Sequence, residues 1–112
     1  MKDDRLYLIY IDECISRIEE YISGGRAAFF EDIKTQDAVL RNLQTLAEST
    51  QRLSAELKAR YPGADWQGMS GFRNVVVHNY LGVNLNHVWE IVSDDIPKLK
   101  ETIKLMIEER GD

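Results

Sequence analysis

The sequence predicts an all-α domain, an antiparallel bundle of about five helices, and three observations lead there. Apolar residues recur at spacings of three and four through every long segment, and capping residues, glycines and prolines punctuate those segments at helix-like intervals. The one strand-like run, Val75 to Val77, has no second strand to pair with. β-Branched residues favour extended structure, but a lone strand leaves its backbone groups unpaired, so the valines are placed on a helix. With 112 residues, 44% of them hydrophobic and 29% charged, the chain fits one folded domain over residues 1–112.

The first helix is expected from about Asp3 to Ile22. Tyr7, Ile11, Cys14, Ile18 and Tyr21 or Ile22 form its apolar stripe, and Gly24 and Gly25 stop it. A short aromatic piece, RAAFFEDIK, leads into a long helix in which Val39, Leu43, Leu46, Thr50, Leu53, Leu57 and Tyr61 keep near-heptad spacing. Thr35 or Asp37 is expected to cap that helix, and YPG to end it. Asp65 is the expected N-cap of a third helix that carries the valines, with Gly82 as its stop. Asn84 then caps LNHVWEIVSD, and Pro97 suits the first turn of a last helix through Leu99, Ile103 and Met106 or Ile107. The short joints suit antiparallel neighbours.

Composition narrows function. Fourteen basic against 19 acidic residues give a net charge of -5, which argues against a broad nucleic-acid footprint, because nonspecific affinity comes mainly from phosphate neutralisation. Any such contact must be local, in a cleft that gathers its own cations. The single cysteine, Cys14, cannot form an internal disulfide and reads as core. Only six consecutive apolar residues lie between Arg5 and Asp12, too few for a signal peptide or membrane span, so a cytoplasmic location is expected.

The stretch GFRNVVVHNYLGVN, residues 71–84, carries the chemistry. At about 100° per residue, Asn74 and His78 share one helix face, while Arg73 and Tyr80 share an adjacent one. Three successive valines cannot all point inward, so at least one is expected to meet a neighbouring subunit. Gly68, Ser70 and Gly71 would allow close backbone approach there. The residue types alone leave two readings open. In one, Arg73 makes a surface ion pair, His78 sits near the favourable end of the helix dipole and Tyr80 is a half-buried ring. In the other, Arg73 and His78 cleave a phosphodiester: histidine exchanges protons near neutral pH, and arginine offers a permanent forked charge to phosphate oxygens. His87 lies nine residues beyond His78 without a ligand set around it, so it reads as a surface residue and no metal or other cofactor is expected. Trp66 and Trp89 read as packing or subunit-interface residues, and no phosphate-binding glycine loop is present.

FRNVVVHNYLGVN, with Trp66 upstream and VWEIVSDDIPKL downstream, resembles the HepT-like branch of the HEPN ribonuclease toxins. The likeness runs over nearly the whole chain, including the FF-ED element and the TQDAVLRNLQTLAES helix. The family motif of Arg, four residues, His, one residue, Tyr is met by Arg73, His78 and Tyr80, and its polar residue after the Arg by Asn74. One departure is visible: related chains commonly read GEA where this one reads LAES at Leu46 to Ser49.

The resemblance implies a HEPN-like bundle that dimerises through the motif-bearing helices, so that two Arg73 and two His78 side chains surround one RNA phosphate. It implies metal-independent cleavage of RNA by Arg73 and His78, with Asn74 in support. It further implies a minimal nucleotidyltransferase antitoxin, MntA-like, that silences the toxin by transferring AMP to Tyr80. Apolar residues in excess of one small core place the dimer face around Val76 and Trp89. The competing expectation is a noncatalytic helical subunit that docks a nucleotidyltransferase.

Overall fold

The computed structural model describes the backbone of residues 3–77 and 84–109 and the side chains of residues 3–72 and 84–109. Among the described residues every regular element is helical, as expected. The first helix, α1 (Asp4–Tyr21), starts where the Asp3 carboxylate accepts from the Leu6 amide at 3.3 Å, satisfying one of the amides that a helix start leaves unpaired. It buries Leu8, Ile11, Cys14, Ile15 and Ile18. Gly25, at φ 91°, turns the chain through a conformation that a side chain disfavours.

The aromatic piece folds as a short helix, α2 (Arg26–Glu31). Its Phe29 is 1% exposed and meets the Trp89 ring at 5.4 Å between centroids. Arg26 covers the Phe30 ring at 4.7 Å and donates to Asn86 Oδ1 at 2.7 Å. Gln36 Nε2 donates to the carbonyls of Phe29 and Phe30 at 2.9 and 3.2 Å, which closes the end of α2.

The long helix departs from expectation at both ends. α3 (Ile33–Arg52) is capped by Asp32, whose carboxylate accepts from the Lys34 amide at 3.1 Å and the Thr35 hydroxyl at 2.8 Å. Thr35 is thus a donor to the cap, and neither it nor Asp37 is the cap. At the other end the helix breaks: Leu53 is extended at ψ 143°, and a five-residue helix, α4 (Ala55–Ala59), follows. The cause is Ser54. Its amide and hydroxyl donate to the two Asp4 carboxylate oxygens at 2.8 and 2.7 Å, while its Oγ accepts from the Leu57 amide at 3.1 Å. Leu53 and Leu57 stay buried across the break, so their periodicity carried no trace of it.

α5 (Trp66–Val77) and α6 (Leu85–Glu90) begin at the expected caps. Asp65 Oδ1 accepts from the Gly68 amide at 2.9 Å, and Asn84 Oδ1 accepts from the His87 amide at 3.2 Å. The expected stop at Gly82 lies outside the described residues. α6 runs without a break through a π-helical segment at Ile91–Asp95 into α7 (Ile96–Glu109). Pro97 accounts for the widened turn, because it has no N–H and its ring would strike the carbonyl four residues back in a regular α-helix. The Ile96 amide reaches back five residues to the Ile91 carbonyl, and Val92 and Ile96 are both buried.

α1 packs most extensively along α3, which also carries α5, and α7 packs against α1. Lys100 of α7 bridges both carboxylate oxygens of Glu19 at 2.9 and 3.0 Å, a half-exposed pair that contributes no more than about 1 kcal/mol. The LAES departure falls within the core: Leu46, Ala47 and Ser49 are buried. Its consequence is therefore internal packing of α3. Among the described residues no helix is long and apolar enough to cross a membrane.

Candidate functional site

The site is built on α5. Trp66 opens it, with Nε1 donating to the carbonyls of Lys58 and Tyr61 at 3.2 and 3.1 Å, so the start of α5 is tied to the end of α4. A Cβ at Gly68 would come within 2.2 Å of the Asp65 carboxylate. Only glycine leaves that cap in place. Met69 and Phe72 are buried at 8% and 6% exposure and fasten one face of the helix to the core.

That anchoring sets where the motif positions fall. Arg73 and Asn74 stand in the second half of α5, and the valines Val75–Val77 complete it, so the triple valine is helical. At about 100° per residue, Arg73 stands about 40° round from Met69, whereas Asn74 stands at least about 140° from both buried residues. Arg73 therefore flanks the core face and Asn74 occupies the opposite one. The side chains of Arg73, Asn74 and Val76, and the whole of His78 and Tyr80, lie outside the described residues.

Beside the first half of α5 lies a groove of about 550 Å³. Its apolar walls are Met69 and Phe72 from α5 and Ile91 and Leu99 from the opposite side. Gly68 and Gly71 line the α5 wall, and a Cβ at Gly71 would meet nothing within 4 Å. The polar groups are Asp65 just before α5 and His87, Asp95, Lys98 and Thr102 from the opposite wall. Ile91 and Asp95 are the first and last residues of the π segment, a local geometry that recurs at functional sites. Thr102 Oγ1 donates to the Lys98 carbonyl at 3.3 Å and keeps its lone pairs for a donor.

The sequence reading did not single out this groove. His87 is exposed, as expected, yet it lines the groove together with Asp95, Lys98 and Thr102. Their spacing of three and four residues is ordinary for a solvated helix, and the opposing wall comes from a helix far away in sequence. Gly68 and Gly71 gave the one usable sign, as positions open to close approach.

Cys14 is buried, and desolvation pushes its thiol up, against a lowering by Arg17 and with a smaller rise from Glu13. It is a core residue rather than a nucleophile. Trp66 and Trp89 are both half-buried in their own chain's packing.

Residues 11–106 match the family model described as "Ribonuclease HepT-like". A Methanocaldococcus jannaschii protein named "Gamma-glutamylcyclotransferase and putative RNase" is 38% identical over 109 residues, covering 96% of this chain and 49% of the relative. The chain thus spans about half the length of that protein. The "Probable ribonuclease HepT" of Thermococcus cleftensis is 37% identical over 98 residues, covering 84% of this chain and 86% of its own length. A Caldanaerobacter subterraneus protein named "Putative RNase" is 29% identical over 109 residues, covering 96% and 97% of the two chains. No solved structure matches.

Proposed function

The chain belongs to the HepT-like ribonuclease family, and on that premise we propose that it is the toxin of a type VII toxin–antitoxin system, a metal-independent RNA endonuclease. The observation that carries the reading is the spacing of Arg73, Asn74, His78 and Tyr80 inside the matched region of residues 11–106. Two copies bring their motif helices together around one RNA phosphate. His78 of one protomer takes the proton of the ribose 2′-hydroxyl, and the freed oxygen attacks the adjacent phosphorus. The bond to the 5′-oxygen breaks, the partner subunit's His78 protonates that leaving oxygen, and a cyclic phosphate remains. Arg73 neutralises the charge that builds on the phosphate, with Asn74 in support. DNA, lacking the 2′-hydroxyl, is not cut.

A cognate minimal nucleotidyltransferase antitoxin switches the activity off by placing AMP on Tyr80. The added phosphate competes for Arg73, and the nucleotide fills the cleft. The test is cleavage of RNA in chelator by protein free of Tyr80 modification. Wild type is expected to cut, with His78→Ala and Arg73→Ala each losing at least about a hundredfold. Wild type no faster than His78→Ala across several RNA pools would overturn the reading.

The net charge of -5 favours a second reading, a noncatalytic helical subunit that docks the nucleotidyltransferase. It predicts no growth inhibition when the chain is expressed alone and a complex that survives both substitutions. Toxicity abolished by either substitution, with folding intact, decides for the nuclease.

A further inference from the structure

Arg26, the first residue of α2, is exposed and held in place from two sides. Its guanidinium carbon stands 4.7 Å from the centre of the Phe30 ring, and Nη2 donates to Asn86 Oδ1 at 2.7 Å. Phe30 is itself braced, edge-on to the buried Phe29 at 5.5 Å between centroids. A guanidinium carries several N–H donors in a rigid fork, and among the described residues Asn86 takes only one of them. Among those residues Arg26 forms no salt bridge. The Asp32 carboxylate, close by in sequence, is engaged as the cap of α3. The result is a positive charge, uncompensated and already oriented, on a chain whose net charge is -5. An exposed arginine ordinarily gives up side-chain freedom when it grips a ligand; here Phe30 and Asn86 have already restricted it.

The place of this charge decides what it meets. Asn86 lies in the first turn of α6 and follows Tyr80 by six residues, so the backbone separates the two by no more than about 20 Å. We infer that Arg26 is a binding residue for RNA, gripping with its free N–H groups a backbone phosphate that flanks the one cut at the motif. The inference rests on the ribonuclease reading and adds to it a second point of attachment, indifferent to sequence. A forked guanidinium suits the two exposed oxygens of a phosphodiester, and phosphate contacts fix the register of a nucleic acid without reading its bases. An acidic chain holds a polyanion in this way, by single cations set in place rather than by a broad basic face.

The experiment uses the whole chain, free of Tyr80 modification, and a fluorescent single-stranded RNA whose 2′-hydroxyls are methylated, so that binding is measured without cleavage. Arg26→Gln is expected to weaken binding about fivefold at about 0.1 M salt and to reduce the slope of log affinity against log salt by about 0.7, the share of one phosphate contact on a single strand. Arg26→Lys should keep the wild-type slope. Asn86→Ala, which removes the hydrogen bond and leaves the cation, should keep it too. On cleavable RNA, Arg26→Gln is expected to raise KM by a similar factor, with kcat within about twofold of wild type. An unchanged slope in Arg26→Gln overturns the inference. So does a loss of kcat shared equally by Arg26→Gln and Asn86→Ala, which would make Arg26 a support for α6 alone. The binding arm needs no catalysis, so the two readings fail separately: a wild type that cuts no RNA, while Arg26→Gln still lowers the slope, overturns the ribonuclease reading and upholds the contact.

Discussion

Asp32 has the most definite electrostatic signature among the described carboxylates. The Thr35 hydroxyl beside it is the largest influence; against desolvation, and with smaller help from the amides of Lys34 and Thr35 and the Lys34 charge, it holds the carboxyl below the ordinary value of 3.8. A depressed folded-state value means that stability is gained above the unfolded-state value and lost as pH falls through the folded one. Asp32 is therefore expected to titrate below 3.8 in carboxyl NMR, and Thr35→Ala to move its midpoint upward. An unchanged midpoint in that variant would remove Thr35 as the cause. The sequence offered Thr35 or Asp37 as the cap because threonine and aspartate are both good caps. The residue that takes the role is Asp32, the one at which the chain leaves α2 with extended backbone.

At the scale of the helix, caps were legible where one polar residue stood directly before an apolar period. Asp65 and Asn84 both stand so, and both accept the amide three residues on. The geometry at Asp65 separates two effects that a single substitution would confound. Asp65→Ala removes the cap and should cost about 1 kcal/mol in denaturant unfolding. Gly68→Ala displaces the same carboxylate but gains up to about 1 kcal/mol of helix propensity, so it is expected to be near neutral. Two equal losses would show that the carboxylate, rather than the backbone, dominates at Gly68. The break at Leu53 and the π segment were illegible for one reason: both preserve the burial of the flanking apolar residues. Periodicity reports which side chains are inside and is silent about how the backbone accommodates them.

The whole molecule accords with an all-α bundle whose framework the sequence announced through its stripes, stops and caps. The motif was legible only as spacing, and the groove was not legible at all, because its two walls meet only through the packing of α5 on the rest of the chain. Assembly is the remaining whole-molecule expectation. A site that needs two motif helices requires a dimer at micromolar concentration in sedimentation, and a monomer there would contradict both the composite site and the Val76 and Trp89 face. Within one protomer, the three bonds that meet at Ser54 have a dynamic consequence. A helix of five residues does not persist alone, so α4 depends on what holds it from outside: Ser54 on Asp4, 50 residues away in the chain, the buried Leu57, and Trp66 on the Lys58 and Tyr61 carbonyls. Asp4→Ala is therefore expected to raise hydrogen exchange at the Leu57 amide and in the first turn of α1 together, two segments tied as one unit beside the entrance to α5.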